Sequence, residues 1–241
     1  MTEGEAQQWL ELQGWWAGRA GDRLRRFVSL ILEEADRQNL ISSASREQIW
    51  ARHIVDSAQL LTLSGSQDDE TGLWVDLGTG AGFPGLVIAC LREAPIQLIE
   101  VRPLRAAFLQ RCVEDLGLVH ANVAVSKAEN VELQRPAAII SARAYAPLSR
   151  LLTSAGHLAD ENTHWLLPKG RQGNKELEIA RAEWQAVFHV KHSVTDPESA
   201  IVTVDNLKGP IPSTGQKRRT RFARQARKAV PPTPRKARTR S

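Results

Sequence analysis

The chain of 241 residues contains two cysteines, one methionine and one tyrosine, and carries no acidic residue after Gly209. Cys90 and Cys112 are too few for a disulfide framework, and their spacing fits no zinc cluster. No metal is expected. Apolar runs nowhere approach the roughly 18 residues that span a bilayer. The N-terminus also lacks the basic-then-apolar pattern of a secretory signal. A reduced, cytoplasmic protein without membrane contact is the expectation.

Charge is distributed unevenly. Residues 209–241 hold eleven of the 32 Lys and Arg and none of the 27 Asp and Glu, so the rest of the chain carries a net −6. A mildly acidic body joined to a basic arm points to a polyanion partner reached mainly through the arm. Pro210, Pro212, Pro231, Pro232 and Pro234 alternate there with Lys and Arg, and few apolar residues remain to offset the entropy of ordering. The arm 209–241 is therefore expected to be disordered.

Three zones precede and include that arm. Residues 1–64 read as a helical region. Trp9, Leu12, Trp15 and Trp16 fit one apolar face, and Leu24, Phe27, Val28, Ile31, Leu32 and Ala35 fit a second. A third helix is expected to open at Ser45 and to carry Ile49, Ile54, Ala58 and Leu61 inward. On it, Arg52–Asp56 and His53–Ser57 share faces by i,i+4 spacing.

Residues 65–208 alternate apolar strand runs with helical patterns, the signature of a parallel α/β sheet. Strands are expected at Leu73–Leu77, Ile96–Glu100, Asn122–Ser126, Ala137–Ala142 and His164–Leu167. Helices are expected from Pro84, Pro103, Leu148 and Lys175. Val187–Val194 and Ile201–Leu207 alternate by twos and predict a closing antiparallel hairpin.

The most informative stretch is Val75-Asp76-Leu77-Gly78-Thr79-Gly80-Ala81-Gly82-Phe83-Pro84-Gly85. It joins a buried strand to a helix, and its glycines let a ligand approach the backbone closely. Gly80, Gly82 and Gly85 spell the dinucleotide fingerprint G-x-G-x-x-G. Asp76, however, closes the strand two residues before Gly78. A carboxylate there faces a pyrophosphate badly and suits the ammonium of a methionine moiety. S-adenosylmethionine (SAM) is thus favoured over NAD. Glu100 ends the second strand, where an acid accepts from ribose hydroxyls. Ala128-Glu129 follow the third strand, on the expected side of the adenine.

The chain resembles the RsmG/GidB family of ribosomal RNA methyltransferases. The matching pieces are Asn39-Leu40-Ile41-Ser42, Arg52-His53-Ile54-Val55-Asp56-Ser57, the Gly-rich loop with Phe83-Pro84-Gly85, and Phe108-Leu109. Ser141-Ala142-Arg143-Ala144-Tyr145 and Leu167-Pro168-Lys169-Gly170 complete them. The resemblance implies a class I SAM-dependent methyltransferase fold: a Rossmann-like, mostly parallel seven-stranded sheet preceded by the N-terminal helices. It implies 16S ribosomal RNA or the small-subunit particle as partner, and guanine 527 in the 530 loop as the base methylated at N7. Its cofactor-contacting positions fall on Gly78, Phe83, Ala128, Glu129 and Arg143. Two features depart from the family pattern: Glu100-Val101-Arg102 with a lone Arg105 after the second strand, and the long basic arm.

Guanine N7 has a free lone pair and no proton, so methyl transfer to it needs no general base, only alignment. The lack of an evident nucleophile–base pair agrees with that chemistry. Arg143 and Tyr145 are expected to place the acceptor base. Tyr145 would stack on the guanine, and Arg143 would orient the cofactor's carboxylate or the base's O6 while leaving N7 free. The Arg52–Ser57 helix is expected to dock over the cofactor cleft, with His53 or Asp56 bonding the Gly-rich loop or the nucleotide. The chain is expected to act as a monomer. The alternative reading is a non-catalytic SAM-binding ribosome-assembly factor.

Overall fold

The computed structural model describes residues 1–65, 72–170 and 172–212. The arm beyond residue 212, and with it the expectation of disorder there, lies outside the described residues.

Seven strands form one sheet in the order β3-β2-β1-β4-β5-β7-β6. They are β1 (Trp74–Leu77), β2 (Ile96–Glu100), β3 (Ala121–Val125), β4 (Ile139–Ser141), β5 (His164–Lys169), β6 (Trp184–His192) and β7 (Ala200–Pro210). The first five pair in parallel, and β7 runs antiparallel to β5 with Trp165 opposite Val204. The seven-residue link 193–199 is too short for a crossover, so β6 returns beside β7 as a hairpin. Strands β1 and β4 are buried along their whole length. Covered faces explain why their residues are mostly apolar without alternation, Asp76 and Ser141 being the exceptions.

Between them run α5 (Gly85–Leu91), α6 (Pro103–Asp115), α7 (Leu148–Ala155) and α8 (Gly173–Glu183). On one face, Leu86, Ile88, Phe108 and Leu109 share a core with Leu10, Leu24, Phe27 and Ile31 of the N-terminal helices. The opposite face buries Leu151, Leu152 and Leu177 against Val75, Ile140 and Trp165. Residues 1–64 thus complete the sheet's covering layer, and Met1–Gly209 form one compact unit.

The N-terminal helices are α1 (Glu3–Leu12), α2 (Gly18–Glu34), α3 (Ser43–Arg46) and α4 (Asp56–Leu63). Thr2 caps α1 with Glu5 in a reciprocal capping box. Two expectations are corrected here. Leu12 is 83% exposed, because α1 turns Ala6 and Leu10 inward and stops there; Gly14, at φ 75°, ends the helix before Trp15 and Trp16. The third helix is capped by Ser42 rather than opened at Ser45, and Trp50–Val55 widen into a π-helical turn before α4.

β1 hydrogen-bonds to β2 on one side and β4 on the other. Chain connections therefore depart in opposite directions around β1. In open α/β sheets this switch point, at the carboxyl ends of the strands, is where ligands bind.

Candidate functional site

The turn leaving β1 is held in shape by its own strand and by β2. Gly78, Gly80 and Gly82 adopt φ of 66°, 61° and 106°, values that a side chain strains. Gly80 N–H donates to Glu100 Oε2 at 2.9 Å, and Arg102 N–H donates to Glu100 Oε1 at 2.8 Å. Glu100 is only 4% exposed. A carboxylate has about four lone-pair directions, so with two backbone donors bound it retains capacity for hydroxyl donors.

Asp76 lies elsewhere than expected. It has no exposed surface. Its Oδ2 accepts Gly85 N–H at 3.0 Å and its Oδ1 accepts the Ser141 hydroxyl at 2.6 Å, while Trp74 Nε1 donates to that same hydroxyl. The carboxylate is thus a buried strut joining β1, the first turn of α5 and β4, and it does not face a ligand. Burial pushes its pKa up from 3.8 to about 6, against the lowering by its hydrogen bonds. A carboxyl whose folded pKa is raised binds its proton more tightly when folded. The stabilisation it gives is complete below about pH 4 and is lost as pH rises through about 6. Chemical denaturation across pH 4–7 should therefore show a downward step that Asp76→Asn lacks. Parallel profiles for the two proteins would contradict the assignment.

Phe83 is also turned inward, at 4% exposure. Its ring stacks on His53 with centroids 4.6 Å apart and planes 18° from parallel, and meets Phe27 at 5.6 Å. Arg143 lies over the same ring at 4.9 Å. The π-helical turn thus docks on the Gly-rich loop through aromatic stacking, where hydrogen bonds from His53 or Asp56 to the loop or to the nucleotide were expected. The residues that share faces by i,i+4 spacing bond through other atoms or to other partners. The Ser57 hydroxyl donates to the His53 carbonyl at 2.6 Å, and Asp56 pairs with Arg143 at 3.1 Å in place of Arg52.

Arg143, just past β4, is gripped from residues 52–56. Its Nη1 donates to the Arg52 carbonyl (3.3 Å) and Asp56 Oδ2 (3.1 Å), and its Nη2 donates to His53 Nδ1 (3.0 Å). A guanidinium has five N–H donors; two remain. Asp56 Oδ1 accepts from Gln59 and Thr195, and Gln59 in turn bonds Ser193 and Val194 N–H. Burial, then the charges of Arg143 and Arg52, hold the His53 imidazole down at a pKa of about 3. It is neutral at pH 7.

Next to this joint a cavity of about 410 Å³ opens, lined by Asp56, Arg143, Tyr145, Lys169, Glu176 and Ile201 among others. Tyr145 is half-buried. Its ring lies so close to Gly78 that a Cβ there would fall 2.7 Å from Cδ2. The turn that aims it passes through Ala144 at φ 53°. Lys169 Nζ braces the same turn, donating to the Ala146 carbonyl (2.9 Å) and to Glu176 (2.8 Å).

On the β3 side, Ala128 is buried and Glu129 exposed in the single turn Ala128–Asn130. Val101, Leu104 and Val125, which sequence reasoning does not single out, are large apolar side chains exposed at the carboxyl ends of β2 and β3. An apolar residue directly after the strand-ending Glu100 is the signal that could have found them. Lys169 stands out in the sequence only as part of a motif, and the partnership of His53 with Arg143 has no local signal. No group of three or more His, Cys, Asp or Glu among the described residues is placed to hold a metal. No helix among them is long and apolar enough to cross a membrane.

Most of the chain has known relatives. Residues 21–201 match the family model GidB, rRNA small subunit methyltransferase G. The ribosomal RNA small subunit methyltransferase G of Sphingopyxis alaskensis is 49% identical over 180 residues, covering 75% of this chain and 76% of that protein. Its namesake in Novosphingobium aromaticivorans is 43% identical over 214 residues, covering 88% and 92%. Among solved structures, a mutant of MtNAS in complex with S-adenosylmethionine superposes with a TM-score of 0.51 at 16% identity, over 77% of this chain and 75% of that one. The ribosomal protein L11 methylase of Lactobacillus delbrueckii gives 0.50 at 13% identity, over 62% and 78%. These two likenesses concern the fold, which is that of class I methyltransferases.

Proposed function

The chain belongs to the GidB family of small-subunit ribosomal RNA methyltransferases, and from that premise we propose that it uses SAM to methylate N7 of a guanine in 16S ribosomal RNA, guanine 527 by family resemblance. The observation that carries the reading is the pairing of a glycine cradle with a separate cavity across Tyr145, lined by the ion pairs Arg143–Asp56 and Lys169–Glu176. SAM supplies a methyl group on a sulfonium, transferred without a redox partner or a general base.

The residues present fit that cofactor. A cradle of positive-φ glycines admits a ligand against the backbone. Glu100 keeps acceptor capacity for two ribose hydroxyls. Val101, Leu104 and Val125 offer an apolar surface for a flat heteroaromatic ring, with Ala128 and Glu129 beside it. No phosphate-binding arrangement of free amides is needed, since Gly80 N–H is already given to Glu100. That counts against NAD.

On the acceptor side, Tyr145 presents a stacking face and the two remaining N–H groups of Arg143 are donors for O6 or for a carboxylate. N7 then stays unprotonated and unbonded, ready to attack. With proton transfer unnecessary, the protein's contribution is alignment and exclusion of water.

Labelled SAM incubated with small subunits that lack the modification tests the reading. Methyl incorporation with chain scission characteristic of 7-methylguanine is the expected result. SAM binding without any transfer would instead establish the assembly-factor alternative, and binding of NAD in place of SAM would overturn both.

The basic arm bears on affinity. Strand β7 continues to Pro210, past the expected end at Leu207, so a clean truncation falls after Pro212. Removing residues 213–241 deletes all eleven arm charges. The truncated protein should bind SAM normally and bind RNA more weakly. Its salt dependence should be flatter by roughly 0.7–0.9 in log–log slope for each phosphate the arm had neutralised. The methylated position should not change, because phosphate contacts do not specify sequence. Equal slopes for both proteins would show the arm to be a bystander.

A further inference from the structure

We propose that His53 is a positioning residue for methyl transfer, acting as a hydrogen-bond acceptor that fixes the plane of the Arg143 guanidinium. The inference rests on the reading of Arg143 as an acceptor-site residue and adds the group that makes its geometry definite.

Arginine nitrogens only donate. The 3.0 Å contact between Arg143 Nη2 and His53 Nδ1 therefore requires Nδ1 to be the unprotonated nitrogen. The ring's proton then resides on Nε2, which is buried without an acceptor among the described residues. A buried N–H without a partner is costly, and the opposite tautomer would turn the Nδ1 contact into two opposed donors. The arrangement holds because the ring is pinned face to face on Phe83 and its site disfavours a cationic ring.

Asp56 by itself cannot fix Arg143. Only its Oδ2 reaches the guanidinium, and that contact and the longer one to the Arg52 carbonyl both fall on Nη1, leaving Nη2 untied; Oδ1 is occupied by Gln59 and Thr195. His53 supplies the anchor on the second terminal nitrogen. With Nη1 and Nη2 tied to different acceptors, the plane is set and the remaining two N–H groups have fixed directions. A long arginine side chain otherwise retains much rotamer freedom.

Two substitutions separate the acceptor from the ring. His53→Asn keeps an oxygen near the Nδ1 position and removes the stacking surface. His53→Phe keeps the stack and removes the acceptor. With both proteins shown folded by thermal melting, His53→Phe should lower kcat on undermodified small subunits by about tenfold or more at saturating SAM, about 1.4 kcal/mol or more of barrier. His53→Asn should stay within about threefold of the parent. In an Arg143→Ala background His53→Phe should cost nothing further, since coupled sites are not additive. The reverse ranking, or a full additional loss in that background, would make His53 a packing residue and overturn the proposal.

A measurement independent of catalysis completes the test. Nitrogen-15 correlation spectra of the imidazole at pH 7 should show a neutral ring protonated on Nε2, and Arg143→Ala should shift its Nδ1 resonance. A ring protonated on Nδ1 defeats the proposal whether or not the protein methylates RNA. Failure of the parent protein to transfer methyl, with the expected tautomer present, would count against the functional reading alone.

Discussion

Gly78→Ala is expected to lower SAM affinity more than tenfold, which corresponds to about 1.4 kcal/mol. Two effects act together. The residue sits at φ 66°, where a Cβ is strained, and that Cβ would fall 2.7 Å from the Tyr145 ring. The ring must shift or the turn must flatten, and either alters the wall that the methionine end of the cofactor would meet. Gly80→Ala also strains its backbone, at φ 61°, but its nearest new contact is an ordinary 3.7 Å. Its loss of affinity then comes from strain and from disturbing the bond to Glu100. Gly82→Ala and Gly85→Ala differ in kind. Their added Cβ atoms would meet Phe27 at 2.5 Å and Leu98 at 2.4 Å. Both should lower the melting temperature before they affect binding specifically. Calorimetric titration with SAM, alongside melting curves, sorts the four. Unchanged SAM binding by folded Gly78→Ala and Gly80→Ala proteins would refute the assignment of the loop.

Tyr145→Ala should reduce kcat/KM for RNA by roughly 5- to 150-fold, the range of a base–aromatic stack worth about 1–3 kcal/mol. The chain spends its single tyrosine at the boundary between glycine cradle and cavity. Ala144, at φ 53°, bears a backbone conformation that costs a residue with a Cβ of order 1–3 kcal/mol. Lys169, braced against Glu176, holds the next carbonyl of that turn. Such support is more than a surface aromatic ring requires and suits one whose orientation matters. Tyr145→Phe, which retains the stacking face, should keep most of the activity. Methylation by Tyr145→Ala at limiting RNA equal to that of the parent would show that no base stacks there.

Both effects meet at one contact. Tyr145 packs on Gly78, so the cofactor side, on the turn after β1, and the acceptor side, on the turn after β4, are in contact. Changes on one side should be felt on the other, and the two substitutions are expected to be non-additive for the same reason that neighbouring residues generally are.

The elements themselves were largely legible in the sequence because their causes are local. Trp74–Leu77 and Ile96–Glu100 are mostly apolar segments of strand length and largely buried. Leu24, Phe27, Val28 and Ile31 repeat at helical spacing and are buried on α2. The positive φ values at Gly78, Gly80 and Gly82 follow from residues that alone tolerate them. Leu12 departs from its expected face because two short apolar patterns run together across Gly14. The π-helical turn leaves no mark in the sequence, since the same side chains fit an ordinary helix equally well.

Tertiary structure decided what the side chains of the site actually do. Asp76 closes its strand as the motif requires, yet whether its carboxylate faces a ligand or Ser141 and Gly85 depends on β4, 65 residues away. Phe83 turns inward because α2 and the π-helical turn cover it. Arg143 and His53, 90 residues apart, meet only because the N-terminal helices complete the core over α5. Periodicity and backbone freedom are properties of neighbours along the chain, and sequence carries them directly. The direction of a polar side chain is settled by whichever partners the packing of distant elements brings within about 3 Å of it.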